Sequence, residues 1–341
     1  MPIQSRNARH HQRSRAAARR RWLQALAACG LAVAALPGAA LAAEYPDRPI
    51  RLVVPFPPGG PTDLVSRVIA RRMSEDLGQT VLVDNRPGAN GNIGNEIVAK
   101  AAPDGYTVLY NTSSIALSPA LYRKLPYDVK RDLLPVALTA NVPLVLEVNA
   151  QVPANTVPEF VAWLKANPGK MTYGSAGNGN VTHLTAFLFL QAKGLDAAHA
   201  PYKGSAPALT DLASGQVQFM TDTINSSLPF IRDKRMKALA VTSSTRSAQL
   251  PDVPTLAESG LPGFEAGAWQ GMMVPAKTPP DIVRRLNGAA VKALAAPEVR
   301  ASLAAQGAEP RGSSPEAYGT FLSHEIERWR KVVKDTGVTL D

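Results

Sequence analysis

The stretch Arg51-Leu52-Val53-Val54-Pro55-Phe56-Pro57-Pro58-Gly59-Gly60-Pro61-Thr62-Asp63 reads as three pieces in succession. A short apolar run suited to a buried strand comes first, then a loop without side-chain bulk, then the opening of a helix. The helix continues as Thr62–Leu77, with Leu64, Val65, Val68, Ile69, Met73 and Leu77 on one side and Gly78 as its stop. Two glycines let the backbone come close to a ligand, and a helix start offers unpaired N–H groups with a partial positive charge. Together these make an anion site. A plain strand-to-helix turn with Thr62 as N-cap would look the same in isolation. A second stretch repeats the design: Met171-Thr172-Tyr173-Gly174-Ser175-Ala176-Gly177-Asn178-Gly179-Asn180, followed by the apolar-periodic Val181–Lys193. Two such loops in separate halves of the chain suggest a small anion held between two lobes.

The first 42 residues read as an export signal. Seven arginines (Arg6, Arg9, Arg13, Arg15, Arg19, Arg20 and Arg21) form a basic head, Trp22 to Leu41 is apolar and small, and Ala40-Leu41-Ala42 fits a cleavage site. Arg19-Arg20-Arg21-Trp22-Leu23-Gln24 also approximates a twin-arginine signal, so the general secretory and twin-arginine routes both stay open. Leu26-Ala27-Ala28-Cys29 resembles a lipoprotein site, but the residues after Cys29 lack a polar tether, which favours a soluble cleaved product. Removing this segment takes seven of 37 Lys+Arg and none of the 27 Asp+Glu, so the charge drops from +10 to +3. No arginine-rich run or basic–aromatic pattern remains, which argues against nucleic-acid binding. The only cysteine leaves as well, excluding disulfides and thiol chemistry from the mature chain. Residues 43–341 exceed the ~100–150 residues at which single domains cluster, and no run after Ala43 approaches the ~20 apolar residues of a membrane span.

From Ile50 on, strands and helices alternate as in parallel α/β layers. Expected strands are Ile50–Pro55, Thr80–Asp84, Tyr106–Tyr110, Met171–Tyr173, Ala198–Tyr202, Val217–Thr221 and Ala238–Thr242. Expected helices are Thr62–Leu77, Ile93–Lys100, Val157–Ala166, Val181–Lys193 and Ala206–Ala213, with more after Pro280. Two extended apolar segments, Pro135–Asn149 and Gly267–Pro275, are longer than one small strand needs and suit crossings between lobes. On this reading lobe 1 is 43–142 with 270–341, and lobe 2 is 143–269.

Other chemistry is weaker. Ser175 invites a hydrolase reading, but a Gly-x-Ser-x-Gly elbow needs glycine where Tyr173 stands. His183 lies in a first helical turn and suits either capping or ligand contact. His199 and His324 have no second histidine or carboxylate at metal spacing, so neither a metal nor any other cofactor is expected. Gly88, Gly91 and Gly94 have the wrong spacing for a dinucleotide loop and read as turn glycines. Asp222 ends a predicted strand, where it can turn the chain, hold a substrate ammonium or hydroxyl, or orient Thr62 or Tyr202. Lys203 could pair with an anionic ligand tail or stay solvated.

Several pieces, in this order, resemble one family. They are Tyr45-Pro46-Asp47-Arg48-Pro49-Ile50 running into Val53-Val54-Pro55-Phe56-Pro57-Pro58-Gly59-Gly60; Asp84-Asn85-Arg86-Pro87-Gly88-Ala89; and Pro103-Asp104-Gly105-Tyr106-Thr107. Leu125-Pro126-Tyr127-Asp128, Tyr173-Gly174-Ser175-Ala176-Gly177-Asn178-Gly179 and Pro201-Tyr202-Lys203-Gly204 follow. Over Tyr45–Leu340 the chain resembles the Bug-type (TctC-like) solute-binding proteins of tripartite tricarboxylate transport systems. The resemblance implies an α/β, two-lobed periplasmic binding protein fold of type 2 (a Venus flytrap) with two interlobe crossing strands. It implies a non-enzymatic periplasmic receptor for a dicarboxylate, tricarboxylate, amino acid or aromatic carboxylate, with a tripartite-type membrane permease as partner. Carried over, Phe56, Pro58, Gly59, Gly60, Thr62 and Asp63 form one wall and Ser175, Ala176, Gly177, Asn178 and His183 the other. Ser113 and Ser114 lie on the hinge side, and Tyr202, Lys203 and Asp222 complete the candidate set. The sequence departs at Asn180-Val181-Thr182-His183, where relatives more often have Ser or Thr and then Pro. A ligand sensor feeding a signalling kinase, and a hydrolase of an organic acid ester, are the rival readings.

Overall fold

The computed structural model describes residues 45–337 and 339–340, so the expected export signal lies outside the described residues. β1 (Ile50–Val54), α1 (Pro61–Leu77), β2 (Val81–Asn85), α2 (Asn92–Ala99), β3 (Thr107–Thr112), α3 (Ser114–Leu121) and the single turn α4 (Val129–Asp132) lead into β4 (Leu133–Asn149). Then come α5 (Val157–Ala166), β5 (Thr172–Ser175), α6 (Val181–Lys193), β6 (Ala198–Pro201), α7 (Ser205–Ser214), β7 (Phe219–Thr223), α8 (Ile224–Arg232) and β8 (Met236–Val241). β9 (Gly267–Pro275), α9 (Pro280–Ala295), α10 (Pro297–Ala305), β10 (Glu309–Pro310) and α11 (Pro315–Thr336) complete the chain.

Local chemistry accounts for the ends of these elements. Pro61 opens α1, where its missing N–H costs nothing, and Gly78 closes it in the left-handed conformation at φ 67°. Val65, Ile69 and Met73 are fully buried under β1, whereas Leu64, expected on the same face, is 42% exposed. α3 and α8 are missing from the sequence reading. Each carries an internal proline, Pro119 and Pro229, which reads as a helix breaker but falls inside a helix. β3 also runs on through Asn111 and Thr112.

The first sheet has β1 parallel to both β2 and β3, and β3 antiparallel to β9. The second has β5 parallel to β6 and β7. β4 belongs to both. Leu133 to Pro143 pair with β9, while Leu144 to Asn149 run between β7 and β8. Seventeen residues of strand reach roughly 55 Å, enough to serve two sheets in turn.

Thr242 stitches the return path. Its Oγ1 accepts from the Leu144 N–H at 2.9 Å and donates to the Ala266 carbonyl at 2.7 Å, just ahead of β9. This is the expected two-lobed α/β architecture, with the chain passing between sheets along β4 and again just ahead of β9. The segment expected to be the return crossing, Gly267–Pro275, is β9 itself and pairs with β3 and with Leu133–Pro143 of β4 in the first sheet. The second sheet is packed around Phe160, which stacks on Phe189 (6.1 Å) and meets Phe219 edge-on (5.1 Å).

Candidate functional site

The first glycine loop leaves the C-terminal end of β1. Pro57, Pro58 and Gly59 are exposed, and Gly59 has φ 78°, a conformation only glycine adopts freely. The N-cap of α1 is Gly60, with no side chain capping the helix, and Thr62 sits in the first turn rather than at the cap. Asp63 is turned inward. Its Oδ2 accepts from the Gly59 N–H (2.9 Å) and Arg67 Nε (2.9 Å), and its Oδ1 from Asn85 Nδ2 (2.9 Å). Asn85 also donates to the Phe56 carbonyl at 3.0 Å. Burial would raise the Asp63 pKa, but the bonds from Arg67, Gly59 and Asn85 outweigh it and hold the carboxyl below its usual range. Asp63 therefore shapes the loop from within.

A third loop, read from the sequence as plain turn glycines, packs against this wall. Four consecutive residues have positive φ: Gly88 134°, Ala89 47°, Asn90 52° and Gly91 94°. Ala89 and Asn90 pay a steric cost there, the kind of strain that gathers at functional sites. A Cβ on Gly91 would lie 3.3 Å from Ser114 Oγ and 3.4 Å from the Phe56 ring. Phe56, Gly91 and Ser114 thus form one junction. Ser113 and Ser114 are buried at 0% and 4% exposure. Their hydroxyls and the Asn90 amide nitrogen have no hydrogen-bond partner among the described atoms. Glycine spacing alone carried no signal for this junction; the adjacent Ala89-Asn90 pair between glycines was the available hint.

The second glycine loop is tied down along its length. Ala176 N–H donates to Thr182 Oγ1 (2.9 Å), Gly177 N–H to Ser175 Oγ (3.2 Å) and Gly179 N–H to His183 Nδ1 (3.1 Å). Asn180 caps α6 by accepting from Thr182 N–H at 3.1 Å. Asn178 is exposed. A Cβ on Gly179 would lie 2.8 Å from Leu121 and 2.9 Å from Leu340, so this loop rests on the end of α3 and the C-terminal segment. α3 therefore begins at the first wall, with Ser114 beside Phe56, and ends at the second, with Leu121 beside Gly179. Eight residues of helix separate the walls by roughly 12 Å.

His183, placed by sequence between capping and ligand contact, is 3% exposed and accepts from the loop backbone. His199, isolated in the sequence, stacks on it with ring centroids 3.7 Å apart and reaches Ser175 Oγ through Nε2 at 2.7 Å. This Ser–His pair resembles a nucleophile and its base in form only. Ser175 is wholly buried, and its hydroxyl is bracketed by the Gly177 N–H and carbonyl. That suits a loop brace.

The remaining candidates divide. Tyr202 lies over Gly174 and its hydroxyl donates to Asp211 at 2.7 Å; burial, joined by that bond, pushes its pKa up to about 12. Lys203 is exposed. Asp222 is fully buried; its Oδ1 accepts from Ser205 Oγ (2.9 Å) and Thr223 N–H (2.6 Å), while Oδ2 has no partner among the described atoms. Burial pushes the Asp222 pKa up to about 6. A cavity of about 480 Å³ opens near the far end of α3, lined by Tyr122, Arg123, Lys130 and Arg330 among others, and includes no residue of either glycine loop. Among the described residues no group of three or more His, Cys, Asp or Glu side chains is placed to hold a metal, and no helix is long and apolar enough to cross a membrane.

Residues 65–338 match the family described as the tripartite tricarboxylate transporter family receptor, TctC. Protein BugT of Bordetella pertussis is 41% identical over 312 residues, 91% of this chain and 96% of BugT. The structure of Rpa4515 from R. palustris with adipate superposes with a TM-score of 0.81 at 38% identity, covering 87% of this chain and 99% of that one. MatC from Rhodopseudomonas palustris with bound malate gives 0.75 at 37% identity, over 85% of this chain and all of MatC. With the family model matching residues 65–338 and BugT aligned over 91% of the chain, the chain belongs to the tripartite tricarboxylate transporter receptor family, the TctC- and Bug-type solute-binding proteins.

Proposed function

We propose that the mature protein is a periplasmic receptor that captures a small organic carboxylate between its lobes and delivers it to a tripartite-type membrane permease. α3 is the observation that carries the reading: one short helix has the Phe56–Gly91–Ser114 junction at its start and the Ser175–Asn180 loop at its end. A ligand between these walls meets backbone and hydroxyl groups in place of a fixed positive charge. Buried hydroxyls of Ser113 and Ser114 and uncapped α1 supply donors for an anion, each charge-assisted bond contributing roughly 1.5–3 kcal/mol. Adipate in one relative and malate in another support a carboxylate as cargo.

In this reading 1–42 is a cleaved signal, lobe 1 is 43–142 with 270–341, and lobe 2 is 143–269. Phe56, Pro58, Gly59, Gly60, Thr62, Ser113 and Ser114 face the ligand from lobe 1. Ala176, Gly177 and Asn178 face it from lobe 2, with Ser175 bracing the loop behind them. Asp63, His183 and Tyr202 hold the walls from behind. Closure follows from differential affinity, because the ligand bridges both walls only when the lobes are together.

The test is a thermal-shift screen of residues 43–341 against adipate, malate, citrate, aspartate and benzoate. Ligand at ~100 times its dissociation constant adds about 2.7 kcal/mol of stability. A shift with one acid class, weakened in Gly60→Val and in Ser114→Ala, supports the site. No shift with any carboxylate, in folded and ligand-free protein, removes the reading.

A further inference from the structure

We propose that His199 is a positioning residue of the ligand site: with His183 it forms a two-ring clasp that holds the Ser175–Asn180 loop in its binding shape. The proposal rests on the receptor reading for its purpose, and on geometry for its existence.

Each ring holds a different part of the loop. His183 Nδ1 accepts the Gly179 N–H at 3.1 Å, so that nitrogen carries no proton and the ring is neutral, with its proton on Nε2. His199 Nε2 meets Ser175 Oγ at 2.7 Å, and the same oxygen accepts the Gly177 N–H at 3.2 Å. The rings lie parallel with centroids 3.7 Å apart, so moving either one moves both anchors. Tyr173 closes the stack from β5, its ring 4.9 Å from His199 and 6.0 Å from His183. Gly177 and Gly179, with φ 144° and 69°, supply the loop's flexibility, and their N–H groups are the ones the clasp restrains. A glycine loop that must present a fixed surface needs such restraint, because its own conformational entropy opposes order.

The clasp works only when uncharged. A proton on either ring would set a cation face to face with its neighbour in a buried stack, and on His183 it would displace the Gly179 N–H. Of the groups facing the pair, Tyr173 and Ser175 on β5 and Thr182 on α6 are neutral. Asp196, between α6 and β6, is the nearby acid, acting on Tyr173. Burial, with the His199 neighbour, lowers the His183 pKa to about 3, and burial lowers that of His199 to about 4, in accord with the geometry.

Amide hydrogen exchange on the ligand-free mature protein tests the clasp without knowledge of the cargo. His199→Phe keeps the stacked ring and loses the bond to Ser175; His199→Gln keeps a hydrogen-bonding group and loses the ring. The expected result is a split: exchange at Gly177 accelerates about tenfold in H199F with Gly179 little changed, and the reverse holds in H199Q. In the wild-type protein both amides lose protection together as pH falls through about 4, a profile that H199F abolishes at Gly177. Exchange changing equally at all amides, in proportion to a lowered unfolding midpoint, overturns the proposal, as does no change in either variant. If H199F does not fold, H199Q carries the same test through Gly179. With adipate as probe, a wild-type protein that binds it and an H199F variant that binds tenfold more weakly supports the clasp's purpose. The exchange split without binding of adipate or any other carboxylate supports the clasp and defeats the receptor reading.

Discussion

Glu147 and Asp222 share one face of the second sheet. Asp222 stands opposite Val145 and Glu147 opposite Met220, so the period of two along β4 and β7 sets the two carboxyl groups diagonally across adjacent strands. Both residues are 0% exposed, and each has one oxygen bonded to a hydroxyl (Ser227 for Glu147, Ser205 for Asp222) and one without a partner among the described atoms. Burial, joined by the Asp222 charge, raises the Glu147 pKa well above the usual carboxyl range, and burial raises that of Asp222 to about 6.

These two acids make stability fall as pH rises. Folding favours their neutral forms, so their contribution is whole below about pH 4, where unfolded carboxyls titrate, and is lost as pH climbs through the folded values. Glu147→Gln is expected to stabilise the protein by about 1–3 kcal/mol at pH 8 and to change little at pH 4. Urea midpoints at both pH values check this; an equal shift at each would discard the buried-acid account.

Asp63 should behave in the opposite sense. Its pKa is lowered, so the stability it supplies is present at neutral pH and disappears as pH falls below about 4 through the folded value. Asp63→Asn is expected to cost about 1–2 kcal/mol at pH 7, a modest figure because Arg67 is half exposed. The gap between the two proteins should narrow as pH falls below about 4. Chemical denaturation across pH 3–7 measures it.

Glu325 serves two tryptophans at once. Its Oε2 accepts from Trp269 Nε1 at 2.9 Å and Trp329 Nε1 at 3.0 Å, joining β9 to α11. Glu325→Ala leaves two buried indole N–H groups unpaired, at about 1–3 kcal/mol each. The expected loss is about 2–5 kcal/mol, with a changed tryptophan emission maximum. A loss under 1 kcal/mol would mean the indoles find other partners.

Two glycines should respond differently to alanine. A Cβ on Gly94 would stand 2.6 Å from Pro55 Cβ and 2.9 Å from Pro55 Cα, whereas on Gly60 it meets only the Pro57 carbonyl, at 3.4 Å. Gly94→Ala is expected to destabilise by about 2 kcal/mol or more, and Gly60→Ala by less than about 1 kcal/mol. Thermal melts of the two variants side by side decide it.

Most strands and long helices were legible in the residues. α1, α5 and α6 announce themselves through apolar spacing and their stop glycines or caps, and β4 and β9 through unusually long apolar runs. α3 and α8 were hidden because Pro119 and Pro229 interrupt the local helical signal, and only packing against neighbouring elements makes the missing hydrogen bond tolerable. Among site residues, the two glycine loops were readable from strand, glycine and helix in succession. Outside the candidate site, the burial of Glu147 was not readable, because a lone acid inside a strand pattern resembles a solvent-facing residue until a second layer covers it.

The order of residues alone therefore determined the alternation of strands and helices, the two glycine loops and the family, since each is written in neighbouring positions along the chain. Tertiary structure decided what those loops touch. His199 and His183 are 16 positions apart, and Phe56 and Gly91 come from two different loops while Ser114 opens α3; only strand pairing and the packing of helices on the strands set them side by side. Contacts of that kind depend on register and on closure of the chain over distance, and no local pattern encodes them.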